Sequence, residues 1–138
     1  MIKFDYLLFI ICAFSLGMWA CTGRKEKFIN LQTEQFEKLL NENHVQLIDV
    51  RTPEEYAEGY LAGSVNIDIR CNSFSLLVDE RISKSRPVAL YCRSGSRSRK
   101  AAHLLIEKGY KVYHLDKGYQ RWIEEGREVE GCFQYPTE

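Results

Sequence analysis

"YCRSGSRSRKAAHLL" (Tyr91–Leu105) is the stretch from which the rest of this chain can be read. It continues an apolar run, "PVALYC", that is short, bounded by Pro87 and has the character of a buried strand. Downstream, Ala101, Ala102, Leu104 and Leu105 recur at helical spacing and Gly109 supplies a stop, so a helix follows. Cys92 therefore falls at the carboxyl end of a strand, in a tight loop that opens a helix. Open α/β sheets bind ligands at that position. Backbone N–H groups at a helix start favour negative charge, and Arg93 and Arg97 add cations. The loop is suited to holding an anion against a sulfur.

Outward from the loop the same alternation continues. "TEQFEKLLNEN" reads as a helix with Thr33 as N-cap and Phe36, Leu39 and Leu40 on one face. "VQLIDV" (Val45–Val50) reads as a buried strand, "TPEEYAEG" as a helix started by Pro53 and closed at Gly59, and "SVNI" (Ser64–Ile67) as a second strand. A helix around Leu76–Ile82, the strand "PVALY", the helix "SRKAAHLLIEKG", the strand "KVYHL" and the helix "YQRWIEEG" complete the series. Strands alternating with helices imply an α/β fold with a central parallel β-sheet flanked by helices on both faces.

The chain has 138 residues, with nineteen Lys and Arg balanced by nineteen Asp and Glu. That balance argues against a general nucleic-acid binder, so the basic residues around Cys92 are a local feature. The opening residues differ in kind. "LLFIICAFSLGMWA" (Leu7–Ala20) is uncharged and mostly apolar behind Lys3, and is short for a spanning helix. It ends at Cys21, ahead of polar "TGRKEK", and resembles the signal of a bacterial lipoprotein. The expectation is residues 1–20 as export signal, lipidation at Cys21, residues 21–27 as linker, a folded domain over 28–130 and a tail over 131–138. An exported, lipid-anchored position facing the periplasm in a bacterial cell envelope follows, with an uncleaved anchor as the alternative. Of the five cysteines, Cys71, Cys92 and Cys132 fall in the folded part or its tail. A Cys71–Cys132 disulfide is one arrangement open in an oxidising compartment.

"LIDVRTPEEYAEGYLAGSVNI" followed by "VALYCRSGSRSRKAAHLLIEKGYKVYHLDKGYQRW" resembles the rhodanese-like single-domain sulfurtransferases across about residues 28–127. The loop Cys92-Arg93-Ser94-Gly95-Ser96-Arg97 and the segment Leu47–Arg51 carry the likeness most specifically. Tyr60 and Ala62 stand where the family often has His and Pro, and Lys117 replaces the first glycine of a pair ahead of Trp122. The resemblance implies a rhodanese-like fold in which Cys92 takes sulfane sulfur from a small anionic donor, carries it as a persulfide and passes it to a thiophilic acceptor. A thiol or thioredoxin-like protein would be such an acceptor. It implies no metal and no organic cofactor, and the expected state is a monomer.

The residues suit that chemistry. A thiolate is the nucleophile, and an unperturbed thiol with a pKa of ~8.5 is mostly protonated at neutral pH. Converging N–H groups, a helix end and nearby arginines favour the anion. Gly95 and the small Ser94 and Ser96 let the backbone curl around the sulfur. Arg93 is expected to face the donor, and Arg97 to turn back towards Asp49, with Arg51 on the same rim. His44, His103 and His114 have no catalytic company in the sequence and read as surface or packing residues. Tyr119 and Trp122 read as core. Rival functions are a thiol–disulfide redox partner using Cys92 and Cys71, a rhodanese-type binding module, and a cysteine phosphatase or arsenate reductase. The last would carry Arg at position 98, where this chain has Ser98; Arg97 comes one residue earlier and gives a tighter loop.

Overall fold

The computed structural model describes residues 28–42 and 44–131. Its centre is strand β4 (Val88–Tyr91), buried along its whole length. It pairs in parallel with β2 (Gln46–Asp49) on one side and β5 (Val112–Leu115) on the other. β3 (Val65–Asn66) extends the sheet beyond β2, and β1 (Ile29–Leu31) beyond β5, giving the order β1-β5-β4-β2-β3 with every pairing parallel. The helices are α1 (Thr33–Asn41), α2 (Pro53–Glu58), α3 (Phe74–Arg81), α4 (Ser96–Glu107) and α5 (Gly118–Glu124).

Period-two alternation along the strands assigns each residue to a face. Ile48, Val50, Val88, Leu90, Cys92 and Val112 pack with Phe74 and Val78 of α3 and with Ala101, Ala102 and Leu105 of α4. Leu47, Ala89, Tyr91 and Leu115 pack on the opposite face with Phe36 of α1 and Trp122 of α5. The sheet is thus covered on both sides, as the α/β patterning requires. β1 was not expected from the sequence. Three residues at a sheet edge, with Ile29 43% exposed, are too few to display an alternation. Its parallel pairing with β5 sets Asn30 opposite His114.

The proposed signal (1–20), the linker (21–27), Cys21 and Cys132 lie outside the described residues, as does any Cys71–Cys132 pairing. Cys71 is exposed, and no disulfide joins it to Cys92, the other described cysteine. At the far end, Glu130 exchanges backbone hydrogen bonds with Tyr60 at 2.9 and 2.7 Å, tying the chain beyond α5 to the loop after α2.

Candidate active site

Cys92 follows β4 directly and is fully buried. Its Sγ accepts the Gly95 N–H at 3.1 Å and the Ser98 hydroxyl at 3.3 Å. Two glycines make the curl around it. Gly95 adopts φ +98°, and a Cβ there would stand 2.1 Å from the Asp116 carbonyl oxygen. Gly118 opens α5 so close beneath that a Cβ would meet the carbonyls of Cys92 and Arg93 at 2.6 and 2.5 Å. Those carbonyls accept from Tyr119 N–H at 2.8 Å and Gln120 N–H at 2.9 Å. The start of α5 therefore satisfies the loop's acceptors, while the loop's own donor at Gly95 serves the sulfur. Arg93, Ser94 and Ser96 are exposed above Cys92.

Arg97 lies in the first turn of α4, not in the loop, and makes a two-pronged pair with Glu55 (Nη1–Oε2 2.6 Å, Nη2–Oε1 2.7 Å). The Arg97 hydrogen bonds pull the Glu55 carboxyl down to about 2. Glu55 also accepts from Thr52 N–H at 3.1 Å, and Thr52 Oγ1 accepts from Glu55 N–H at 3.3 Å, a reciprocal cap at the start of α2. One carboxylate thus starts a helix and fixes an arginine 42 residues away.

The expected pairing of Arg97 with Asp49 does not form. Asp49 alternates with Ile48 and Val50 and so belongs to the α1/α5 face, whereas α4 covers the other. Its carboxylate is taken by Arg51: Nε bonds both oxygens at 3.0 and 2.9 Å, Nη2 bonds Oδ2 at 2.6 Å, and Arg51 N–H bonds Oδ1 at 2.9 Å. Arg51 Nη2 also donates to the Gly59 carbonyl at 2.6 Å, and its guanidinium lies 4.1 Å from the Tyr119 ring centroid. Burial works against the Arg51 charge, but Asp49 outweighs it and raises the pKa. The Asp49–Arg51 pair is an internal strut beside the site.

His114 and Ser98 correct the sequence reading in the other direction. Both are fully buried, and Ser98 Oγ stands 2.7 Å from His114 Nε2, joining the ring to the sulfur. Asn30 Oδ1 lies 2.7 Å from His114 Nδ1. The available signals were a serine on the apolar stripe of α4 and a histidine in register with Val112 on a buried strand. Two open clefts flank the loop. One, about 350 Å³, is lined by Arg51, Glu55, Arg93 and Tyr119; Tyr119 is thus half-buried at a cleft and not simply core. The other, about 440 Å³, is lined by Ser94, Ser96, Arg99, Lys100, His103 and Lys117. A third cavity near Gln46 and Arg86 lies at the opposite end of the strands. Among the described residues no cluster of three or more His, Cys, Asp or Glu could hold a metal ion.

A protein-family model for the rhodanese-like domain matches residues 32–125. A sulfurtransferase of Allochromatium vinosum is 33% identical over 91 residues, covering 65% of this chain and 82% of that protein. A tRNA uridine(34) hydroxylase of Pelagibacter ubique is 29% identical over 81% of this chain, which spans only 38% of that protein's length. Among solved structures, the 30 kDa polysulfide-sulfur transferase homodimer of Wolinella succinogenes superposes with a TM-score of 0.66 at 26% identity, covering 80% of this chain and 84% of that one. With a family match over most of its length and the parallel sheet in place, the chain belongs to the rhodanese-like domain family.

Proposed function

We propose that this chain is a sulfurtransferase in which Cys92 carries sulfane sulfur as a persulfide, with thiosulfate or a similar small anion as donor. The observation that carries the reading is Cys92 Sγ at the end of β4, met by Gly95 N–H and Ser98 O–H. The family membership and the sulfur-transferring relatives support it. The Cys92 thiolate attacks the outer sulfur of thiosulfate, the S–S bond breaks, and sulfite leaves with the bonding pair. The negative charge then rests on the terminal persulfide sulfur. A thiophilic acceptor removes that sulfur and restores the thiolate. Arg93, exposed at the mouth, supplies a fork suited to the sulfonate end of the donor. Cys92 is fully buried at rest, so the loop around it must open for a donor to reach the sulfur. The proposal extends to a thiol or thioredoxin-like acceptor, a monomeric state and a lipid anchor at Cys21 facing the periplasm. Fatty-acid labelling of the wild type but not of Cys21→Ser would test the anchor.

Mass spectrometry of the full chain after mixing with thiosulfate tests the chemistry. The expected result is the mass of one added sulfur on the peptide holding Cys92, absent in Cys92→Ser. A Cys71–Cys92 disulfide with no added sulfur would favour the redox reading instead.

A further inference from the structure

Behind the sulfur, away from the exposed loop, a chain of polar groups runs Cys92–Ser98–His114–Asn30 across α4, β5 and β1, buried as far as His114 and ending at the exposed Asn30. Each link is short: 3.3 Å, 2.7 Å and 2.7 Å. The oxygens around the imidazole carry the argument. Nδ1 faces Asn30 Oδ1, and Nε2 faces both Ser98 Oγ and the Gly95 carbonyl at 3.2 Å. A neutral ring has one N–H and leaves its other nitrogen bare. Here, with Nδ1–H given to Asn30, the bare Nε2 can accept from Ser98 O–H, but that single hydroxyl hydrogen is then lost to the Cys92 sulfur. An imidazolium donates to Asn30 and to Ser98 Oγ and frees the Ser98 hydrogen for the sulfur. Other surroundings oppose that charge. Burial pulls His114 down to about 4 and Arg99 adds to the pull, while the Gly95 carbonyl and Asp116 act against it. Phe28 packs edge-on to the ring and edge-on to His103. A lone His114 is therefore neutral near pH 7. It gains a proton only together with a nearby anion, and the one proton within reach through a hydroxyl is that of Cys92.

Resting on the reading of Cys92 as the nucleophile, we propose that Ser98 and His114 form a proton relay for it. The thiol proton passes to Ser98 Oγ as the Ser98 proton passes to His114 Nε2. The product is a thiolate accepting from Ser98 O–H and Gly95 N–H, and an imidazolium donating to Asn30 on one side and to Ser98 Oγ and the Gly95 carbonyl on the other. Net charge and electron count are unchanged. Attack on a sulfane sulfur moves the negative charge to the persulfide, and return of that sulfur to an acceptor moves it back, so the imidazolium keeps a counter-ion throughout. Ser98 touches the reacting sulfur; His114 acts through it.

The test needs no sulfur donor. Histidine-ring nitrogen NMR of the full chain at neutral pH should show both His114 nitrogens protonated in the wild type and a neutral ring in Cys92→Ser. Ultraviolet thiolate absorbance, read against Cys92→Ser, should accompany the protonated ring. His114→Gln can still hold Ser98 but cannot take a proton. It should move the iodoacetamide alkylation profile of Cys92, followed by peptide mass, to higher pH, with at least a ~10-fold loss of rate in mildly acidic buffer. Ser98→Ala should do the same. A thiolate beside a neutral His114, a thiol beside a neutral His114 throughout the range, or an unshifted profile in His114→Gln would overturn the relay. If His114→Gln fails to fold, the contrast between wild type and Cys92→Ser decides alone. If His114 responds to Cys92 but thiosulfate adds no sulfur, the relay stands and the sulfur-transfer reading falls.

Discussion

Asp49–Arg51 and Glu55–Arg97 join the same kinds of side chain, yet they lie in different environments. The first pair is buried, with side chains 0% and 4% exposed, and its arginine is further held by the Gly59 carbonyl and the Tyr119 ring. The second is a quarter or less exposed and sits at the start of α4, on the side of the sheet that carries Cys92. A buried pair that loses one member strands a charge in the interior, at a cost of about 3–5 kcal/mol. A pair near water loses far less. The contrast teaches that identical chemistry serves as a strut in one place and as an electrostatic adjustment in the other, and that burial decides which.

The comparison can be broken most directly at the strut. Arg51→Ala should lose about 3–5 kcal/mol in urea denaturation by leaving Asp49 unpaired. A loss near that of Arg97→Ala would erase the distinction. Arg97→Ala should cost about 1 kcal/mol and move Cys92 alkylation to higher pH, because a cation near the thiolate is removed. Glu55→Gln leaves Arg97 charged but uncompensated and should move alkylation the opposite way. Shifts in the same direction would show that the pair acts through loop geometry and not through charge.

The acid limb of stability sharpens the second pair. The folded-state Glu55 carboxyl is held at about 2 against an ordinary 4.5. Its contribution is therefore complete above about pH 4.5 and is lost as pH falls towards 2. Screening at a partly exposed site keeps the contribution to about 1 kcal/mol. Glu55→Gln should flatten the decline in that window; an unchanged decline would assign the acid loss to other carboxylates. Arg93→Ala, at an exposed position, should change stability by less than about 0.5 kcal/mol and raise KM for thiosulfate. An unchanged KM would remove Arg93 from donor recognition.

Four of the five strands among the described residues and the general run of helices were legible because each shows its own apolar period or stop signal. The third helix, Phe74–Arg81, falls on the expected stretch "FSLLVDERI", whereas Thr33, expected as an N-cap, is the first helical residue after an N-cap at Gln32. β1 stayed hidden because an edge strand of three residues carries no pattern. At the site, Cys92 and Gly95 were legible because nucleophile, glycine and helix start are contiguous. Glu55, Ser98, His114 and Asn30 were not identified, since they come from α2, α4, β5 and β1 and their roles depend on long-range contact.

By itself the sequence determined the parallel α/β order and the place of Cys92 in a strand–loop–helix turn, because hydrophobic period, proline and glycine act over a few residues. Only the tertiary structure decided which arginine meets which carboxylate. Asp49 and Arg97 were matched by charge, but strand alternation places Asp49 on the α1/α5 face and α4 carries Arg97 on the other. The same packing turned His114, which reads in isolation as an inert histidine on a buried strand, towards Ser98 and so towards the sulfur. Parallel strands bring residues distant in the chain side by side, and a side chain's partner is then set by the face it occupies.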